Sequence, residues 1–309
     1  MKKLVYLLVA LLVLVGCSSD KTNQENIVEE EKHYSILCPS GAPAMVFYNK
    51  LDGFDVADAG AIKTQVLSED GPDFCALPTN VAITLLEKGI DYKLVMFITY
   101  GNFFVCATGK DDDANMDAGD KIVLFSEGSL PDLLFHYVYG DGFNEGITYV
   151  NDASDALREL VSETSEAEYV LLAEPSLTIA FSKNKDAYVY ENLQQAYKDL
   201  SLTKIFQASL LVKNSVEHDD VVEFVESLKG DIDALLENPD IMKTKIEEAG
   251  LSDELAQAMF GNIDADIAAL SNNNTVGIGY NNAVEDKSAI DKFISLFGMG
   301  ETSEEIYFQ

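Results

Sequence analysis

Basic side chains of the kind that grip phosphate or sulfonate are nearly missing from this chain. Arg158 is its one arginine, and Lys and Arg together number 21 against 53 acids, a net charge of −32. A surface of that sign repels nucleic acid and anionic head groups, so neither is an expected partner. Histidine is as scarce: His33, His136 and His218 lie far apart, which leaves little material for a metal centre. No metal and no cofactor is expected. Tryptophan is absent, and the cysteines Cys17, Cys38, Cys75 and Cys106 show no C-x-x-C spacing. With Cys17 set apart for the role below, an odd three remain, which speaks against a disulfide framework or a zinc site. They read as small buried hydrophobes. G-x-S-x-G, H-E-x-x-H and a Walker glycine loop are missing too. No catalytic residue is expected.

What is present begins with the first residues. Met1, Lys2 and Lys3 precede an apolar run from Leu4 to Val15, followed by Gly16 and Cys17. That is the layout of a secretory signal peptide over residues 1–16. The run is too short to span a bilayer comfortably, since a spanning helix needs roughly 20 apolar residues. Leu14-Val15-Gly16-Cys17 resembles a bacterial lipobox, which implies cleavage before Cys17 and attachment of acyl lipid such as palmitate to it. Residues 17–32 are polar and acidic with too little apolar surface to fold, the composition of a flexible tether. The expected location is the cell membrane, lipid-anchored on its extracytoplasmic face. Removing residues 1–16 takes away two lysines and no acid, which leaves a net charge of −34.

Beyond the tether, short apolar runs alternate with amphipathic stretches, the pattern of an α/β protein. Strands are expected at 34–37, 73–77, 92–99, 103–107, 121–125, 146–150, 169–173 and 207–212. Helices are expected at 42–50, 81–88, 133–139 and 153–163. Everything from Asp219 to about Phe297 reads as helical apart from a polar interval running from Ser271 to Asn282. A unit of strand, small-residue turn and helix occurs at 34–50 and again at 121–139, so two similar lobes are expected. The first would hold residues 33–118 and the second 119–205. Residues 206–309 would then return to finish the first, with crossings near 107–121 and 200–208.

Several segments resemble one family, the type 2 periplasmic-binding-protein fold of the nitrate/sulfonate/taurine class, which includes binding proteins for thiamine-precursor pyrimidines. They are Asp73-Phe74-Cys75-Ala76-Leu77-Pro78-Thr79-Asn80 at a strand end, Gly101-Asn102 before a strand, and Gly128-Ser129-Leu130-Pro131-Asp132 opening the second lobe. Glu174-Pro175, the returning segment Gln207 to Val212 and the aromatic ending Glu305 to Gln309 complete the set. The likeness covers most of residues 34–309, and the order of its short motifs carries it. It implies a two-lobed α/β fold with a ligand cleft between the lobes, and a solute receptor serving an ABC permease and ATPase rather than an enzyme. The near absence of arginine departs from a guanidinium clamp for sulfonate or nitrate. A neutral or cationic heteroaromatic solute suits the composition better.

In such a cleft, helix N-termini offer unpaired N–H groups to a polar ligand. The candidate contacts are Ser40, Gly41, Ala42, Pro78, Thr79, Asn80, Gly101, Asn102, Gly128, Ser129 and Glu174. Ser40, Thr79 and Ser129 equally suit plain helix caps, and Glu174 equally suits a salt bridge. Phe47, Tyr48, Tyr100, Phe103 and Phe104 could stack on a ring, though their spacing also suits a core. His136 reads as a packing residue and Asp111-Asp112-Asp113 as a solvated turn. Two other readings stay open: a solute-sensing lipoprotein without transport, and an enzyme of the same fold acting on a pyrimidine precursor. Cys38, at the end of the first strand, is the one nucleophile that would suit such an enzyme.

Overall fold

The computed structural model describes residues 32–110 and 115–309. The expected signal segment, Cys17, the tether up to residue 31 and Asp111 to Asp113 lie outside the described residues. Among those described, no helix is long and apolar enough to cross a membrane.

The chain alternates strand and helix through its first half: β1 (Ile36–Cys38), α1 (Ala42–Met45), β2 (Phe54–Val56), α2 (Ala59–Val66), β3 (Phe74–Pro78), α3 (Thr79–Leu86) and β4 (Tyr92–Thr99). The same alternation then repeats: β5 (Phe103–Ala107), β6 (Ile122–Phe125), α4 (Leu130–Tyr139), β7 (Ile147–Val150), α5 (Ala153–Val161), β8 (Tyr169–Ala173), α6 (Ser176–Lys183), β9 (Tyr188–Asn192) and α7 (Leu193–Ser201). The return comprises β10 (Ala208–Lys213), α8 (His218–Glu237), α9 (Ile241–Glu248), α10 (Asp253–Phe260), α11 (Ile263–Ser271), β11 (Ile278–Asn282) and α12 (Lys287–Ile294).

Two sheets result, in the orders β11-β4-β10-β3-β1-β2 and β7-β6-β8-β5-β9. Within each, a strand, its successor and the next run parallel, and one antiparallel strand is inserted: β10 between β3 and β4, β5 between β8 and β9. The order second-first-third-inserted-fourth is therefore the same in both halves, as the repeated strand-turn-helix unit leads one to expect.

Central strands covered on both faces are continuous apolar runs. Leu37, Cys75, Leu77, Leu94 and Leu211 face α2, α3 and α12, whereas Ile36, Cys38, Phe74, Met96, Leu210 and Val212 face the bundle α8 to α11. Phe74 stacks on Phe224 of α8 with ring centroids 3.9 Å apart. Cys38, Cys75 and Cys106 are free and buried in these cores.

Three features depart from expectation. β5 was expected in the first lobe, but its five apolar residues pair with β8 and β9 in the second sheet, so the first crossing runs through Tyr100, Gly101 and Asn102 rather than through 107–121. The helix expected over 42–50 closes after Met45. β2, α2, α6, β9 and α7 are additional to the expected elements, and β11 forms at the end of the polar interval, closing at Asn282.

Candidate functional site

The sheet registers define where the halves meet. Parallel β1 and β3 end at Cys38 and Pro78; Thr99 at the end of β4 and Ala208 at the start of β10 lie level with Pro78. In the second sheet the ends of β6, β7 and β8 share an edge with the start of β5. Both crossings, Tyr100 to Asn102 and residues 202–207, join these edges. The carboxyl ends of the parallel strands of both sheets thus face one boundary, the place where open α/β sheets bind ligands.

Hydrogen bonds knit this boundary. Gly101 has φ +98, and its N–H donates to Gln207 Oε1 at 3.0 Å. Asn102 Nδ2 donates to the Glu174 carbonyl (3.2 Å), while the Glu174 N–H donates to the Asn102 carbonyl (3.1 Å). The Phe103 N–H donates to Gln194 Oε1 at 2.7 Å. A chain of rings also crosses it: Phe97 with Phe206, Phe206 with Phe293, and Phe293 with Tyr197.

The remaining candidates sit at the turns of this boundary. Gly41, φ +84, is the N-cap of α1, and its N–H donates to the Met259 carbonyl at 3.3 Å. Ser40 is exposed and Ala42 opens α1. Pro78 is the N-cap of α3. Thr79 donates its N–H to the Gln207 carbonyl (3.1 Å) and shares a 2.8 Å hydroxyl bond with Ser209. The Asn80 carbonyl accepts from Thr84 Oγ1. The Gly128 N–H donates to Asp132 Oδ2 at 2.8 Å, and Ser129 donates its hydroxyl to the Ser126 carbonyl at 2.5 Å, so it stands at the N-cap of α4 without a side-chain cap.

Glu174 is 5 % exposed, and among the described residues no ion pair holds it. Its Oε1 accepts from the hydroxyls of Thr275 (2.8 Å) and Thr178 (3.2 Å), and Oε2 from the Thr178 N–H (3.0 Å). Thr275 belongs to the returning segment, so this carboxylate of the second half is held by a side chain of the first.

Beside it lies a residue that the sequence reading missed. Asp266 of α11 is fully buried, and neither carboxylate oxygen has a hydrogen-bond partner. Burial, reinforced by the Glu174 charge, pushes its carboxyl from 3.8 up to about 8. Its Oδ2 lies 3.7 Å from where a side chain on Gly261 would begin, a point 4.0 Å from Gly41 Cα. Gly41, Gly261, Asp266, Thr275 and Glu174 are thus gathered together. The missed signal is positional: Ile263, Asp266, Ile267 and Leu270 form one i, i+3, i+4, i+7 stripe, and an acid stands in it.

Phe47, Tyr48, Phe103 and Phe104 are core residues. Tyr100 is half-buried, with its hydroxyl donating to Asn281 Oδ1 at 3.1 Å. His136 lies 3.2 Å from the Tyr149 hydroxyl and 3.3 Å from Asp132 Oδ1, a local network in the second half. Burial and the neighbouring Cys75 raise the Cys38 thiol, the opposite of nucleophile activation. A hollow of about 280 Å³ lined by Lys93, Lys213, Glu217, His218 and Phe308 opens at the other end of the first sheet. Its lysines are spent on the carbonyls of Glu305 and Glu69. Among the described residues, no group of three or more His, Cys, Asp or Glu could hold a metal ion.

No family model matches the sequence, and no curated protein matches it. Solved structures do. An ABC transporter protein from Parabacteroides distasonis superposes with a TM-score of 0.70 at 18 % identity, over 90 % of this chain and 99 % of that one. The zinc-bound ligand-binding component of an ABC-type import system from Staphylococcus aureus gives 0.56 at 11 %, over 89 % and 94 %. The periplasmic aliphatic sulphonate binding protein of Escherichia coli gives 0.53 at 13 %, over 89 % and 91 %. The chain therefore has the periplasmic-binding-protein fold, which it shares with these three proteins.

Proposed function

We propose that this protein is an extracytoplasmic solute receptor: it captures a small molecule at the boundary between its two halves and delivers it to the permease and ATPase of an ABC importer. The observation that carries this is the convergence of both sets of strand ends on one boundary, where Glu174 of one half is held by Thr275 of the other. In this reading residues 33–99 and 208–309 form one lobe and 103–201 the other. They hinge at Tyr100 to Asn102 and at 202–207, and the ligand closes them. Lipid on Cys17 holds the receptor at the membrane, and it performs no chemistry on what it binds.

The contacts proposed are those at the boundary: Ser40, Gly41, Ala42, Pro78, Thr79, Asn80, Gly101, Asn102, Gly128, Ser129 and Glu174, now with Asp266. With acids there and the single arginine exposed on α5, a neutral or cationic heteroaromatic solute is favoured over sulfonate or nitrate. Thermal-shift screening of residues 33–309 against vitamins, amines, sulfonates and pyrimidines tests the reading. A true ligand at a hundred times its Kd adds about 2.7 kcal/mol of stability. A screen in which no member of these classes raises Tm, paired with scattering that shows no compaction, defeats it.

A further inference from the structure

An ion buried without a partner is among the most costly groups a fold can contain. Asp266 is fully buried, and neither of its oxygens receives a hydrogen bond. Glu174 nearby is buried as well and, among the described residues, is served by neutral donors alone, two hydroxyls and one N–H. The two acids approach from opposite halves, Glu174 at the end of β8 and Asp266 on α11, which packs on α6. Among the described residues, no lysine or arginine is paired with either. The site therefore has acceptors on both sides and too few donors to satisfy them.

The geometry points to a cation subsite at this seam: Asp266 and Glu174 together take the protonated amino group of the solute, and that group joins the two halves. This rests on the receptor reading above and specifies the chemistry its ligand must carry. An ammonium group has three N–H donors and no acceptor, so it can serve Asp266 and Glu174 at once and favour the ionised form of the Asp266 carboxyl. Gly41 and Gly261, of the same half as Asp266, bring only backbone to its side, so neither places a side chain against its carboxylate. An alcohol of the same shape brings a single donor and no charge, and a sulfonate or carboxylate brings negative charge and no donor.

The test uses residues 33–309 with benzylamine, histamine and putrescine, each beside the alcohol that replaces its amino group, and with sodium, potassium and calcium chloride at matched ionic strength. Calorimetry and thermal shift are read on wild type, Asp266→Asn and Glu174→Gln. An amine is expected to bind at least roughly tenfold more tightly than its alcohol, the scale of a charge-assisted hydrogen bond, with that preference lost in both variants. Circular dichroism and an unchanged unfolding cooperativity establish that the variants are folded. Amines that bind no better than the alcohols overturn the subsite, as does a preference that survives both substitutions. Equal stabilisation by the metal cations also overturns it, since the site would then read charge alone. Alcohol or sulfonate binding without an amine preference removes the subsite and leaves the receptor standing. Scattering-detected closure with such a ligand separates that outcome from failure of both.

Discussion

Asp266 makes the ligand-free protein pay for a group it cannot satisfy, and the effect follows pH. An unfolded chain releases this proton near 3.8, whereas the buried carboxyl holds it to about 8. Across that window the folded state binds more protons, so its contribution to stability falls as pH rises. Asp266→Leu, which removes the charge and keeps most of the volume, should raise Tm, and its advantage over wild type should grow between pH 5 and pH 8. Melting curves at several pH values check this, and a pH-independent difference would mean the carboxyl is not desolvated. Phe74 is the opposite case, a residue spent wholly on packing. Phe74→Ala should cost about 3–5 kcal/mol in urea unfolding, because it removes the ring stacked on Phe224. Its role is legible in the apolar run that contains it. Asp266 was not legible as a site because its isolation depends on Gly41 and Glu174, both far from it in sequence, as well as on the nearby Gly261.

At the scale of elements, how much could be read followed burial. β3, β4, β5, β8 and β10 are buried on both faces and stand out as apolar runs. β2, β9 and β11 lie at or near sheet edges, with Asp55, Glu191 and Asn281 among their few residues, so they bury too little to leave a pattern. Their existence depends on a neighbour already in place. Turn residues were unevenly legible for a related reason: Asp152 caps α5 by accepting from the N–H groups of Ser154 and Asp155, but the hydroxyl of Thr79 goes to Ser209, a partner 130 residues away. Asp152→Ala should therefore cost about 1 kcal/mol, measured by chemical denaturation. A tighter constraint sits at the first crossing. Gly277 has φ +77, and a side chain there would begin 2.2 Å from the Gly101 carbonyl oxygen. Gly277→Ala should destabilise by more than about 1 kcal/mol and disturb the Tyr100 to Asn102 hinge, whereas the same change at Gly142, which nothing crowds, should be nearly silent.

For the whole molecule, the receptor reading predicts a change of shape and a change of place. A bound solute should reduce the radius of gyration in solution scattering, and a ligand that raises Tm without compaction would argue against closure. Cys17→Ala should shift the protein from the membrane fraction to the soluble exported fraction and abolish incorporation of labelled palmitate. The two-lobed α/β architecture was legible in advance because the strand-turn-helix unit repeats along the chain. The edge of the second lobe was not, since β5 is as apolar as any strand of the first sheet and only its pairing partners reveal where it belongs.

The position of β10 has a consequence for how the protein is made. It lies between β3 and β4, strands completed more than a hundred residues earlier, and its hydrogen bonds to both are what close the first sheet. A chain emerging from its amino end can finish all five strands of the second sheet while, in the first, β3 and β4 still present bare margins to each other across the gap that β10 fills. Those margins are open to mispairing until residue 213 arrives, so the half that is started first is the last to become whole.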